Sequence, residues 1–243
     1  MSKIKTLFLT ANPADTSQLK LDEEIRSITE KIRASDHRDL IELVSAWAVR
    51  ADDLLQLLNM HKPHIVHFSG HGSPIGEILV VDSNEESRAI GTTAIKALFT
   101  TLKDNIRIVI LNACYSQWQA ETITEVIDCA IGMNTAIGDR AAITFAAAFY
   151  RAIGFGRSIQ QAFDQGKIAL LLEGIPEDNV PVLLGRKGVD LSQLFLVVEN
   201  DASMQKIKEE PSGKQAIQQT VTGNQNIFSG SGNINVKINK PEE

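Results

Sequence analysis

Short apolar runs alternate with amphipathic stretches along most of the chain. The runs are rich in β-branched and aliphatic residues, and their length of about four to eight residues is typical of buried strands. The clearest of them, 106–111, reads Ile-Arg-Ile-Val-Ile-Leu. We predict strands at 5–10, 40–49, 65–68, 106–111 and 130–133, with a small hairpin at 77–82 and around Ile90.

The stretches between these runs show helical spacing. Leu21, Ile25, Ile28 and Ile32 lie on one face of a helix, and the acidic residues of its first turn favour the helix dipole. Further helices are predicted at 52–61, 92–102, 117–127, 139–153 and 158–172. Strands that alternate with helices indicate an α/β fold, in which helices cover both faces of a mostly parallel sheet.

The composition changes near residue 199, which predicts a domain boundary. Residues 1–198 are expected to form the folded domain, and residues 199–215, which are mainly polar and charged, a linker. Residues 216–243 are rich in Gly, Asn and β-branched residues and contain two similar segments, 223–227 and 232–236. This repeat is of strand–turn type and is too short to fold as a domain alone.

Composition and charge exclude several classes of protein. The chain is 43% hydrophobic and 22% charged, a balance typical of a globular protein, and its net charge of −6 includes no basic cluster that would indicate nucleic-acid binding. No apolar run approaches the roughly 20 residues that cross a bilayer, and no signal peptide is recognisable. Two cysteines are too few for a disulfide framework, so we expect reduced thiols in the cytoplasm.

Two motifs carry the candidate chemistry, and each closes a predicted central strand. The first, 67–72, reads His-Phe-Ser-Gly-His-Gly, and the second, 111–116, reads Leu-Asn-Ala-Cys-Tyr-Ser. Functional groups in parallel sheets gather at the carboxyl ends of the strands, and neighbouring strands lie only about 5 Å apart. Side chains from the two motifs can therefore meet over a shared cleft.

The residue types in these motifs favour nucleophilic catalysis by a thiolate. A thiol needs a base or an electropositive setting to ionise near neutral pH, and an imidazole titrates in that range. We therefore assign Cys114 as the nucleophile and His71 as its base. The N–H groups of Gly72 and of Cys114 itself are the candidate oxyanion donors, because glycine leaves room for a substrate backbone.

Each of these residues also has an ordinary structural explanation. A lone cysteine after a strand most often packs in a core, and a lone histidine in a Gly-rich turn is most often a loop residue. A chain that contains both motifs, with the histidine before the cysteine, is much rarer than a chain that contains only one of them. Cys129 lies among apolar residues and is predicted to be buried and unreactive.

The other histidines do not predict a metal centre. Strand alternation and an intervening proline scatter His61, His64, His67 and His71, so their spacing does not suit a zinc site. His67 should point to the face of the sheet opposite Phe68, and it remains a candidate for supporting the site.

The two motifs occur in the order that they have in the CHAT domain family, and the chain resembles that family. The CHAT domain family belongs to the caspase-like clan of cysteine peptidases, which includes caspases and separases. The resemblance covers roughly residues 3–185. It departs from the caspase-subfamily signature around the cysteine. Beyond 67–72 and 111–116, the matching segments are 11–13, 47–50, 131–134, 137–142, 145–150 and 172–176.

The resemblance implies a caspase-like three-layer sandwich and a regulated cysteine endopeptidase. A His–Cys dyad would cleave a protein or peptide substrate without a cofactor or metal, in a bacterial defence or cell-death-like pathway. Relatives use an acidic residue to select a basic substrate side chain, and Asp139 is the candidate, ahead of Asp82. Asp139 can instead cap a helix, and Asn112, which is a second candidate for substrate binding, can instead be a turn residue.

The tail from residue 216 suggests assembly. It is β-prone and uncharged over 220–228, and such segments can stack in register with Asn and Gln ladders. It resembles Gly/Asn-rich amyloid signalling motifs, which implies that residues 216–238 bind a receptor with a similar motif or self-assemble. A disordered tail or a small hairpin packed on the domain is the alternative.

Two other functions compete with the peptidase. A non-catalytic scaffold could keep the fold and assemble through its tail, but it would not need both His71 and Cys114. A flavodoxin-like or other nucleotide-binding domain is disfavoured, because no phosphate-binding glycine motif follows the first strand.

Overall fold

Nine strands form two sheets in the computed structural model, which describes residues 3–197 of the chain. Most of the strands coincide with the apolar runs of the sequence, because buried strands of a covered sheet have few polar positions. In chain order the strands are β1 (Ile4–Thr10), β2 (Ile41–Ala46), β3 (Ile65–Ser69), β4 (His71–Gly72), β5 (Ile78–Val81), β6 (Ser87–Ile90), β7 (Ile108–Asn112), β8 (Cys129–Met133) and β9 (Pro181–Gly185).

The larger sheet has six strands in the order β2-β1-β3-β7-β8-β9. The first five run parallel, and β9 pairs antiparallel with β8. Because β3 and β7 are central neighbours in register, Ser69 at the end of one lies opposite Asn112 at the end of the other. The remaining strands, β4 to β6, form a small antiparallel sheet next to the carboxyl end of β3.

Within the same described range, six α-helices flank the larger sheet and complete a three-layer sandwich. Alternate sheet residues, such as Phe8 and Leu9, belong to separate cores on the two faces. One core packs against α1, α5 and α6, and the other against α2, α3 and α4. The helices are α1 (Leu21–Arg33), α2 (Asp53–His61), α3 (Thr92–Thr101), α4 (Gln117–Ile123), α5 (Asp139–Gly154) and α6 (Ile159–Leu172).

The α/β class, the mostly parallel sheet and its helical layers confirm the fold expected from the sequence. Three details were wrong. The strand predicted at 40–49 ends at Ala46, since Ala48 turns the chain with a φ of 50°. The helix predicted to reach residue 127 ends at Ile123, after which turns lead back to β8. Strands β4 and β9 were not predicted.

Several sequence predictions fall outside the described residues. The linker at 199–215 and the assembly tail at 216–243 both lie there, so they stay predictions. Within residues 3–197, no helix is both long and apolar enough to span a bilayer.

Two phenylalanines near the end of α5 test this layered core. Phe149 is fully buried, whereas Phe155, just past the helix, is 41% exposed. We expect Phe149→Ala to lower the free energy of unfolding by about 3–5 kcal/mol, because a large cavity opens between sheet and helices. Phe155→Ala should lower it by less than about 1 kcal/mol. Chemical denaturation followed by circular dichroism measures both, and similar losses would contradict the layer assignment.

Candidate active site

The carboxyl ends of β3 and β7 position the two candidate catalytic loops. Gly70 follows β3 directly, and its N–H donates a hydrogen bond to the Asn112 carbonyl oxygen at 3.3 Å. Each loop therefore leaves the sheet at the same level. His71 lies two residues beyond Ser69, and Cys114 lies two residues beyond Asn112.

His71 and Cys114 both line one small pocket at this edge of the sheet. Asn112 and Asp139 line it too, so the structure brings four of the predicted site residues together. The pocket is partly apolar and partly open to solvent. Its other lining residues are Leu19, Lys20, Leu21, Glu24, Ser69, Gly70, Ala113, Ile137, Ala142 and Ile143.

Gly72 holds the two loops in direct backbone contact. A Cβ atom at this position would lie only 1.9 Å from the Cys114 carbonyl oxygen and 3.3 Å from the Cys114 nitrogen. No other residue fits without moving one of the loops. The two predicted oxyanion donors, the N–H groups of Gly72 and Cys114, therefore belong to backbone segments that touch each other.

The cysteine is half-buried and sits on a strained turn. Its Sγ accepts a hydrogen bond from the Ile137 N–H at 3.5 Å, an interaction that strengthens when the sulfur carries negative charge. Tyr115, the next residue, has a φ of 56°, a left-handed conformation that costs a non-glycine residue about 1–2 kcal/mol. The turn begins before α4, whose first residue is Gln117.

A backbone carbonyl orients the histidine. The Nε2 atom of His71 lies 2.8 Å from the Ser17 carbonyl oxygen. A carbonyl can only accept, so Nε2 carries the proton and donates it, which leaves Nδ1 as the acceptor of the neutral ring. The sequence had no signal for Ser17, because its contribution is a main-chain atom 54 residues from His71.

Ser17 belongs to a loop that is tied to the small sheet. The Ala14 N–H donates to the Glu85 carbonyl, and the Asp15 carboxylate accepts from both the N–H and the hydroxyl of Ser87, at 2.8 and 2.7 Å. The Ser87 hydroxyl lowers the pKa of Asp15, so the carboxylate keeps its charge. This loop connects β1 to α1 and is held next to His71 by the small sheet.

The structure excludes the purely structural explanations considered for Asp139 and Asn112. Gly138 is the N-cap of α5 and Asp139 its first residue, with no side-chain cap bond, so the capping explanation of Asp139 was wrong. Asn112 ends β7 and is buried, so it is not a turn residue. Asp82 accepts from the N–H groups of Asn84 and Glu86 within its own turn and is absent from the pocket lining.

Cys129 differs from Cys114 in its surroundings. It is fully buried in β8, as predicted. Burial raises the pKa of its thiol far above the ordinary range, and the charge of Asp128 adds to that effect. Its thiol is therefore a core side chain and no nucleophile at neutral pH.

The histidines that precede the site are used for other contacts. His64 accepts a hydrogen bond from the Lys5 N–H, and burial lowers its pKa. His67 does point away from Phe68, as predicted, and its ring contacts Phe8 and Tyr150. In residues 3–197 no three His, Cys, Asp or Glu side chains are arranged to hold a metal ion.

One pocket residue was missed from the sequence. From the sequence, Glu24 was expected only to favour the dipole of α1 as an acidic residue of the first turn. In the structure it lines the pocket and is 2% exposed. A carboxylate in the first turn of a helix gives no local signal of such a position.

Solved structures of cysteine proteases share this fold. A secreted C11 cysteine protease from Bacteroides thetaiotaomicron, in complex with an irreversible peptide inhibitor, superposes with a TM-score of 0.56 at 12% identity, over 76% of this chain and 66% of its own. The Arg-specific cysteine proteinase gingipain R superposes with a TM-score of 0.55 at 13% identity, over 79% and 47%. At this identity the likeness concerns the fold alone.

Similarity in sequence identifies the family. A Roc-COR-CHAT protease from an unknown prokaryotic organism is 26% identical over 72% of this chain, and a probable protease from Gillisia limnaea is 25% identical over 59%. The chain spans only 17% and 26% of the lengths of these two relatives. The CHAT domain model matches residues 4–181. The chain therefore belongs to the CHAT domain family.

Proposed function

We propose that the chain is a cysteine endopeptidase that cleaves protein substrates with Cys114 as nucleophile and His71 as base. The observation that carries this proposal is the shared pocket, which both side chains line from adjacent strand ends. A scaffold would have no need for a thiol, an oriented imidazole and an open pocket in one place. The protease relatives add independent support.

The first chemical step uses the free nitrogen of His71. With Nε2–H donated to Ser17, the Nδ1 atom takes the thiol proton, and the thiolate of Cys114 attacks the scissile carbonyl carbon. The carbonyl π electrons move to oxygen, and in this proposal the N–H groups of Gly72 and Cys114 stabilise the oxyanion. The C–N bond then breaks, and the leaving amine takes the proton from His71.

The second step returns the enzyme to its starting state. A water molecule gives a proton to Nδ1 of His71 and attacks the thioester carbon, and the thiolate leaves as the acid product forms. The proton returns to sulfur. The proton transfers are all local, so the reaction needs only the dyad and the oxyanion donors.

Charge in the pocket favours a basic substrate side chain. Asp139 lines the pocket and is partly exposed, and Asn112 presents a buried Oδ1 atom that has no hydrogen-bond partner. Lys20 also lines the pocket, and its ammonium is paired with Glu23 at 3.2 Å. We infer that Asp139 binds a lysine or arginine side chain and that Asn112 accepts a substrate N–H.

The regulated, defence-related part of the proposal rests on the family resemblance. In that proposal the tail at 216–238 recruits the enzyme to a receptor or to copies of itself, and clustering activates it. The competing function is a scaffold with an unused pocket. A cellular effect that persists in Cys114→Ala, with the same set of protein termini, would favour the scaffold.

Thiol reactivity tests the dyad directly. A thiol-reactive peptide probe should label Cys114 in the native protein and leave Cys129 unmodified, because only Cys114 lines an open pocket. Labelling should survive Cys129→Ala and slow by about 10²-fold or more in His71→Ala, since the base is lost. Mass spectrometry of the labelled peptides gives both rates, and equal, slow labelling of the two cysteines would refute the dyad.

Substrate preference tests Asp139. We expect Asp139→Asn to lower kcat/KM for peptides with Arg or Lys before the scissile bond by about 10–100-fold relative to a neutral residue, the effect of losing one charge-assisted hydrogen bond. Asp82→Asn is the matched control, since its carboxylate lies outside the pocket, and it should leave the ratio unchanged. An unaltered ratio in Asp139→Asn would remove this residue from the specificity pocket.

Cleavage in cells tests the pathway part. Cells that carry the active protein should contain new protein N-termini that are absent from cells carrying Cys114→Ala. Terminal-peptide proteomics provides the comparison. Identical sets of termini, obtained while the probe still labels Cys114, would mean that the dyad is competent but no cellular protein is cleaved under those conditions, which contradicts a role in the tested pathway.

A further inference from the structure

A buried carboxylate lies beneath the dyad. Glu24, in the first turn of α1, is 2% exposed and lines the same pocket as His71 and Cys114. A carboxylate is costly to bury unless hydrogen bonds replace its water, so its partners must be strong ones.

Two of these partners are the last residues of the two catalytic strands. The Ser69 hydroxyl donates to one oxygen of Glu24 at 2.5 Å, and the Asn112 amide donates to the other at 2.7 Å. Ser69 and Asn112 lie opposite each other in the β3–β7 pair. One carboxylate therefore spans the two strand ends, each of which lies two residues before a member of the dyad.

The remaining neighbours complete the surroundings of the carboxylate. His67 Nε2 lies 3.3 Å from the carboxylate oxygen that Asn112 contacts, although outside hydrogen-bonding geometry, and His67 Nδ1 lies 3.1 Å from the Tyr150 hydroxyl. Burial, together with the charge of Glu24, raises the pKa of Tyr150. The phenol thus keeps its proton and can donate it to Nδ1; in that tautomer of His67 the proton on Nε2 faces Glu24.

We propose that Glu24 is a positioning residue for the dyad. Its carboxylate holds the ends of β3 and β7 at a fixed separation. The two loops that follow these strands then start from positions that bring His71 and Cys114 together. This inference rests on the proposed function, because it assumes that His71 and Cys114 act together. Helix α1 thereby becomes part of the active site without contributing a group to the reaction itself.

A reciprocal exchange tests the proposal. Glu24→Gln leaves one oxygen for two donors, so either the Asn112 amide meets an amide donor or the Ser69 hydroxyl loses its acceptor. Asn112→Asp places two carboxylates together. In the double variant the amide introduced at position 24 donates to the carboxylate introduced at position 112, and its oxygen accepts from Ser69, so hydrogen bonds to both strand ends are restored. If Glu24 positions the dyad, the double variant must be more active than either single variant.

The expected changes appear in kcat and not in KM. Glu24→Gln should lower kcat about 10²-fold, as small misplacements of reacting groups do, with KM within about threefold. The double variant should recover at least about tenfold of that loss. Because Asn112 is itself a candidate substrate contact, the alkylation rate of Cys114 by iodoacetamide provides a second readout that needs no peptide, and it should follow the same order.

A matched control separates positioning from stability. Ile28 is fully buried one turn further along α1, and Ile28→Val should destabilise the fold without altering the alkylation rate. If Glu24→Gln does not fold, Ser69→Ala removes one donor only and should lower kcat about tenfold. Urea denaturation confirms that each variant is folded during the assay.

The outcomes are distinct. A kcat within about twofold of the parent in Glu24→Gln, a loss confined to KM, or a double variant no better than the worse single variant would each overturn the positioning role. Cleavage that persists in Cys114→Ala would instead overturn the proposed function, whatever the Glu24 variants do.

Discussion

The parallel pairing of β3 with β7 is the constraint on which the site depends. Both strands are buried along their whole length, and their register sets Ser69 against Asn112. A slip of one residue would turn every side chain of a strand to the opposite face, which two separate hydrophobic cores do not permit. Burial of the sheet thus determines where the two loops that carry His71 and Cys114 begin.

Close contacts of the main chain then shape these loops. Gly72 lies against the Cys114 carbonyl, where no side chain fits, and Tyr115 adopts a left-handed conformation directly after Cys114. The Ser17 carbonyl orients His71 from a third segment. Strain at Tyr115 persists only because the surrounding contacts determine the turn, a pattern common at functional sites.

Polar groups below the pocket connect these loops to helix α1. Glu24, Ser69, Asn112, His67 and Tyr150 form one buried network between the sheet and the helices. Such networks stabilise a unique arrangement when their members are satisfied, and a missing partner is expensive. The solved cysteine proteases share the fold at only 12–13% identity, so chain topology is retained while most side chains change.

The sequence by itself determined the α/β class, the five parallel strands, the six described helices to within a few residues, and the two motifs that end β3 and β7. These features follow from hydrophobic periodicity and from residue types that are local in the chain. Only the tertiary structure decided that Asp139 is not a helix cap, that Ser17 orients His71, and that Glu24 is buried against the ends of β3 and β7. The positions of Ser17 and Glu24 depend on contacts between segments far apart in sequence, and that of Asp139 depends on the backbone angles at the start of α5. No local pattern of residue types predicts any of these three features.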